Sequence, residues 1–216
     1  MAKPLITVDT IYDTALQLLD EQGAAGLSAR NLAATLQCST RTLYQQVGKR
    51  EELIRQLLDH YFHSIQLDFR REERWQDSVL SWANAMRAAL LAHPNLSRHL
   101  TIENRPAIAE YVNQLLKLLL GREFPEELAI RSCRVLTHMV IGLVLAEIDT
   151  PPTHIRRKRR SSKEIQFEDL IIARTDKAKN TGGFQDTPEV FSNAVIWLIC
   201  GVESEWAASR PAMSAV

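Results

Sequence analysis

Arg41 and Gln45 stand four residues apart in the segment Ser39-Thr40-Arg41-Thr42-Leu43-Tyr44-Gln45-Gln46. Both side chains can form paired hydrogen bonds with the edge of a nucleic-acid base. A guanidinium matches the two acceptors of guanine, and a carboxamide matches the donor and acceptor of adenine. On a helix, a spacing of four places the two residues on one face. Thr40 and Thr42 can touch a thymine methyl group or a phosphate. Ser28 and Ser39 sit where helix N-termini are expected, and such termini already favour anions. With Lys49, and Arg50 as a helper, they are candidate phosphate contacts. Each residue alone would suit an ordinary solvated helix face; the ordered set is what points to DNA.

These residues need two short helices and a tight turn to hold them. Ser28 is a good N-cap, and Leu32 and Leu36 then face inward with the small Ala33 between them. Ser39 caps the next helix, about 39–46, with Leu43 as its apolar anchor. The pair reads as a helix-turn-helix unit with a polar recognition helix. Upstream, Val8, Ile11, Ala15, Leu18 and Leu19 form one apolar stripe, which Gly23 and Gly26 stop. Downstream, Lys49-Arg50-Glu51-Glu52 opens a helix whose stripe runs from Leu53 to Ile65. The composition turns fully charged at Arg70-Arg71-Glu72-Glu73-Arg74, where a domain boundary is expected.

The remainder also has helical periodicity. Helices are expected over 75–92, ending at His93-Pro94, from Pro106 to Gly121, over 126–149, and from Pro188 to about 209. A short helix is expected after Ser161-Ser162-Lys163-Glu164, and a mobile loop over 177–186. No run alternates as a strand does. The fold class is therefore all-α: an N-terminal three-helix DNA-binding domain over 1–50, a connecting helix over 51–70, and a C-terminal helical domain over 71–216.

With 216 residues, 45% hydrophobic and 24% charged, the chain can bury a full core. Its formal net charge is zero. In residues 1–50 five cations (Lys3, Arg30, Arg41, Lys49, Arg50) face four anions (Asp9, Asp13, Asp20, Glu21), so DNA binding must rest on where charge sits. The three cysteines, Cys38, Cys133 and Cys200, lack metal-ligand or disulfide-framework spacing, which suits a reduced, cytoplasmic protein. No secretory signal is visible, and the most apolar stretch, 139–146, is too short to span a bilayer. No GxSxG, P-loop, GxGxxG or HExxH pattern is present, so the expectation is not an enzyme, with no metal and no cofactor. A helical adaptor whose head binds protein without binding DNA is the alternative.

Residues 5–54 resemble the N-terminal domain of the TetR/AcrR family of bacterial transcriptional regulators. The resemblance is carried by the first helix, by Ser28-Ala29-Arg30-Asn31-Leu32-Ala33-Ala34-Thr35-Leu36, by Ser39-Thr40-Arg41-Thr42-Leu43-Tyr44, and by Lys49-Arg50-Glu51-Glu52-Leu53. The Thr-Leu-Tyr segment followed by a Lys/Arg-Glu-Glu-Leu start is the narrowest part of the match. Two positions depart from the family: Gln37 stands where Gly is usual, and Val47 where an aromatic is favoured. A left-handed backbone at residue 37 would cost a non-Gly residue about 1–2 kcal/mol.

The resemblance implies a homodimeric repressor that binds a palindromic double-stranded DNA operator and is released by a small hydrophobic or amphipathic effector. It also implies that the Tyr44 hydroxyl anchors on the DNA backbone. The body would dimerise through the helices over 126–149 and 188–209, with Gly142, Leu145, Val195, Leu198, Gly201 and Val202 at the interface. Candidate effector-binding residues are Trp82, Met86, His99, Tyr111, Gln114, His138 and Met139, polar groups among apolar neighbours; aromatic and Met residues at helical spacing also suit simple core. The run Arg156-Arg157-Lys158-Arg159-Arg160 is expected as an exposed loop.

Overall fold

A computed structural model of the chain describes residues 6–65, 67–101, 104–149 and 188–209. The basic run 156–160, the expected short helix after 161 and the loop 177–186 lie outside the described residues. Among those described, every regular element is helical.

The head begins with α1 (Val8–Gln22), where the Thr7 hydroxyl accepts the Thr10 N–H at 3.2 Å and Ile11, Ala15, Leu18 and Leu19 are buried. A 3-10 turn (Gly23–Ala25) follows. At Gly26 a Cβ would lie 2.2 Å from the Leu18 carbonyl oxygen, so glycine alone fits. Helix α2 (Ala29–Thr35) is capped by Ser28, whose hydroxyl accepts the Asn31 N–H at 3.3 Å. Its end is a Schellman turn. The Cys38 N–H bonds the Ala33 carbonyl at 2.9 Å and the Gln37 N–H bonds the Ala34 carbonyl at 3.2 Å. Gln37 takes the left-handed position with φ 52°. Helix α3 (Thr40–Val47) then starts at Ser39 and ends at Gly48, φ 70°.

Helix α4 (Arg50–Ser64) stops six residues short of the expected end of the connecting helix at 70. The Ser64 hydroxyl donates to the Tyr61 carbonyl at 2.8 Å, and the chain leaves the helix. The apolar stripe ends near here, and the charged run that follows could not continue it. Instead Phe69 turns inward, edge-on to Tyr111 with ring centroids 5.9 Å apart. The Arg70 and Glu72 N–H groups donate to the hydroxyls of Ser81 and Ser78 at 3.0 and 2.8 Å.

The body comprises α5 (Trp75–Ala92), the short α6 (Pro94–Ser97), a 3-10 turn (Arg105–Ile108), α7 (Ala109–Leu120), α8 (Glu126–Asp149) and α9 (Pro188–Ser209). Pro106 therefore opens a 3-10 turn, not an α-helix. Gly121 keeps right-handed geometry, and the left-handed residue after α7 is Glu123, φ 65°. Helix α8 lies at the centre, packed against α5, α7 and α9. With a mean hydropathy of 1.6 it is long and apolar enough to cross a membrane, longer than the stretch 139–146 suggested. Its apolar side is spent on the core: Ala129, Cys133, Leu136, Val140 and Val144 are all buried. That burial pushes the Cys133 thiol up to about 12, leaving it protonated.

Head and body share one continuous apolar core, and polar contacts add to it. The Asn95 amide donates to the Leu19 carbonyl at 2.9 Å, His93 Nδ1 lies 2.6 Å from the Asp20 carboxylate, and the Tyr61 hydroxyl donates to the Ala89 carbonyl at 2.8 Å.

The left-handed backbone at Gln37 predicts that Gln37→Gly stabilises the protein by about 0.5–1 kcal/mol. The relieved strain of about 1–2 kcal/mol exceeds the extra chain entropy that glycine loses. Urea unfolding monitored by circular dichroism should show a higher midpoint; an equal or lower one refutes the strain.

Candidate nucleic-acid interface

Helix α3 has two unlike sides. Leu43 and Val47 are buried against the rest of the head. Thr40, Arg41, Tyr44 and Gln45 are exposed, which is the i, i+1, i+4, i+5 pattern of one continuous face. Tyr44 keeps 50% of its surface in solvent, high for an aromatic residue with an apolar core a turn away. Arg41 and Gln45 are thus brought together on the presented face. Thr42 is half-buried, and its hydroxyl lies 2.8 Å from that of Ser39. Thr42 is therefore partly committed to the cap.

The anchors flank this face. Ser28 and Ser39 are exposed N-caps, and each hydroxyl oxygen accepts one backbone N–H while its own proton can still be donated. Lys49 is the exposed N-cap residue of α4, and its side chain makes no capping bond. Arg50 follows in the first turn, exposed. Its charge and, more strongly, burial hold the His99 imidazole below its usual range, favouring the neutral ring.

Electrostatics at these helix starts run against ordinary helix design. The positive end of a helix dipole favours an acid in the first turn. Helices α2 and α3 carry none there, and instead place Arg30 and Arg41 at their second positions. Among the described residues Arg30, Arg41 and Lys49 form no ion pair. Two dipole ends, two hydroxyls and these cations make an anion-attracting surface on a chain of zero net charge. Arg30 was absent from the sequence-derived set. The signal for it was available: a cation two residues after an N-cap, in a first turn without an acid.

The effector candidates separate into groups. Trp82 and Tyr111 are stacked, centroids 5.1 Å apart, and each donates to the other's carbonyl, Trp82 Nε1 to Tyr111 O at 3.0 Å and Tyr111 Oη to Trp82 O at 2.9 Å. Met86 is fully buried. Gln114 and Met139 are half-buried, and His138 is exposed on the outer side of α8. There it lines an open groove of about 610 Å³ with Glu126, Glu127, Ile130, Arg131, Arg134 and Val135. Among the described residues no group of three His, Cys, Asp or Glu side chains could hold a metal ion.

The dimer candidates need one correction. Val195 is completely buried within its own subunit, so it cannot face a partner. Leu198 and Val202 are half-buried on the same inward side, facing α5, α7 and α8. The outward apolar residues of α9 are Ile196 and Trp197, matched on α8 by Ile130 and Val135. Gly142 and Gly201 are exposed, and a Cβ at either would meet nothing within 4 Å in the subunit. Leu145 is half-buried.

Comparison with known proteins agrees with this geometry. Residues 70–206 match the tetracyclin repressor-like C-terminal domain family. The tetracycline repressor protein class E of Escherichia coli is 30% identical over 204 residues, covering 82% of this chain and 95% of that protein. An HTH-type transcriptional regulator of Saccharopolyspora erythraea is 31% identical over 150 residues, covering 67% of this chain; the chain spans 62% of that relative's length. The TetR family protein ActR of Streptomyces coelicolor, solved in complex with actinorhodin, superposes with a TM-score of 0.74 at 20% identity, over 96% of this chain and 100% of that one. A regulator's head on a tetracyclin repressor-like body leaves one assignment: this chain belongs to the TetR family of transcriptional regulators.

Proposed function

We propose that the protein is a ligand-responsive repressor, active as a homodimer in the cytoplasm, that binds a palindromic operator and is released by a small hydrophobic or amphipathic effector. Residues 1–50 form its DNA-binding domain, and residues 71–216 bind the effector and dimerise. The observation that carries the reading is the exposed face of α3, with Thr40, Arg41, Tyr44 and Gln45 outward and Leu43 and Val47 holding the helix down. Arg41 and Gln45 read bases. Ser28, Arg30, Ser39, Tyr44, Lys49 and Arg50 take phosphates. A symmetric dimer places two such faces on one duplex, which requires an inverted repeat. Trp82, Met86, His99, Tyr111, Gln114, His138 and Met139 remain the residues proposed to meet the effector. A neighbour solved in complex with actinorhodin, and relatives named as tetracycline repressors, support a small-molecule effector.

Selection of bound sequences from a random DNA pool tests this reading: an inverted repeat is expected, and enrichment of no sequence sinks it. On the selected site, Arg41→Ala should cost about 1–3 kcal/mol and relax preference at one base pair per half-site. Lys49→Ala should weaken all sequences alike and flatten the salt dependence by about one unit of slope per head. Unchanged affinity and preference in a gel-shift titration would remove Arg41 from base readout.

Trp197, 73% exposed, is the largest apolar side chain left uncovered on α9. Aromatic anchors of this kind dominate interface energies. Trp197→Glu should weaken the dimer by about 2 kcal/mol or more and yield monomer in sedimentation at micromolar concentration, with helicity unchanged. A variant that sediments as the parent does would place the interface elsewhere.

A further inference from the structure

Gln37 joins α2 to α3 in the left-handed conformation, φ 52°, that glycine adopts without steric cost. The Schellman turn itself asks nothing of this side chain. Its hydrogen bonds come from the Gln37 and Cys38 backbone N–H groups. Its apolar contacts are made by the neighbours, Leu36 and Cys38, which pack against the core. Gln37 is exposed between them. The chain thus holds a strained residue whose side chain lies on the surface. Backbone strain of this kind clusters where it serves binding or catalysis.

Strain alone names no partner, and Glu123 takes the same conformation in the body, after α7. What sets Gln37 apart is where it stands. It lies two residues before Ser39, the cap of α3, and Ser39 and Thr40 are exposed beside it. Two residues of chain span at most about 7 Å, so the Gln37 side chain and the Ser39 hydroxyl serve one strip of surface. Between Glu21 and Glu51 the sequence has no acidic residue. No carboxylate of the helix-turn-helix unit therefore opposes an anion at this turn. A carboxamide brings two N–H donors and no charge, which suits a phosphate oxygen.

We propose that Gln37 is a DNA-contacting residue, whose side-chain amide donates to a phosphate oxygen of the operator beside the phosphate taken by Ser39. The inference rests on the regulator reading above. The contact fixes how the turn lies against the DNA backbone and carries no sequence information of its own. Glycine at this position would relax the turn and leave that phosphate to water. Fold stability and DNA affinity therefore move in opposite directions when the side chain is removed.

Gel-shift titration of the full-length protein tests this, on the duplex selected from the random pool and on a duplex of unrelated sequence. Gln37→Gly and Gln37→Asn both suit the left-handed backbone, and the shorter Asn side chain withdraws its amide from the phosphate. Each should raise the urea midpoint and bind both duplexes about tenfold more weakly. No charge is removed, so the slope of log affinity against log salt should stay that of the parent. Gln37→Lys places a cation within the same reach. It should restore the affinity, with a slope steeper by about one unit per head. The inference is overturned if Gln37→Gly or Gln37→Asn binds as tightly as the parent, or if Gln37→Lys leaves the slope unchanged. A parent that binds neither duplex overturns the regulator reading as well; a parent that binds, equalled by Gln37→Gly, overturns the Gln37 contact alone.

Discussion

Everything the head can do depends on how rigidly the body holds it, and that hold is made at the last turn of α1. This turn is locally ill-matched. It carries Asp20 and Glu21 at the negative end of the helix dipole, and no cation of its own. The turn around α6 supplies what is missing. Asn95 donates a second hydrogen bond to the Leu19 carbonyl, which already accepts the Gly23 N–H, and His93 Nδ1 lies 2.6 Å from the Asp20 carboxylate. Tyr61 adds a third tie, its hydroxyl on the Ala89 carbonyl, with the His93 ring edge-on at 4.7 Å. Burial pushes the Tyr61 phenol up to about 12, so it stays a donor at any physiological pH. Two elements that would each be less stable alone are completed by their contact.

The same turn is tied to the centre of the body. Arg98 binds the Asp149 carboxylate at 2.9 Å, the Ile148 carbonyl at 3.3 Å and the Asn95 side-chain oxygen at 2.6 Å. The end of α8, the turn after α5 and the end of α1 are therefore joined by consecutive hydrogen bonds. Arg87 pairs with Glu147, two residues earlier on α8, and covers the Phe191 ring, tying α9 to the same place. A displacement of the end of α8 must stretch this chain or carry α1 with it. Pro94 fixes the start of the short α6, which places Asn95 on the end of α1 and, just past its last residue, Arg98 on the end of α8.

Local rules made much of this legible beforehand. The limits of α5, α8 and α9 follow from Pro94, Pro125 and the apolar periodicity. The left-handed turn at residue 37 is what the family resemblance implies, since Gly is usual there, and the chain adopts it while carrying Gln. What could not be read was the phase of helices that are apolar on nearly every side. Periodicity in α9 does not tell whether Val195 or Trp197 faces the core, since either would suit both settings; packing against α5 and α8 decides it. The end of α4 was equally hidden. It depends on Phe69 finding Tyr111 across the body, a contact far apart in sequence.

Zero net charge gives the junction its importance for function. On the proposed reading one head brings three cations to phosphates, Arg30, Lys49 and Arg50, and each such contact contributes through the release of bound counterions. So few contacts give weak binding at physiological salt, and no long-range field of the whole protein adds to it. In the proposed dimer, two heads held at a fixed spacing would change the situation, because the second would bind at the high effective concentration set by the first. That gain disappears if the linkage is slack or the spacing is wrong. The polar ties at α1, added to the apolar core that head and body share, give the stiffness that a weakly charged head requires. In the proposed dimer they would also make the head responsive, since a small shift in the body would be enough to lose the second contact.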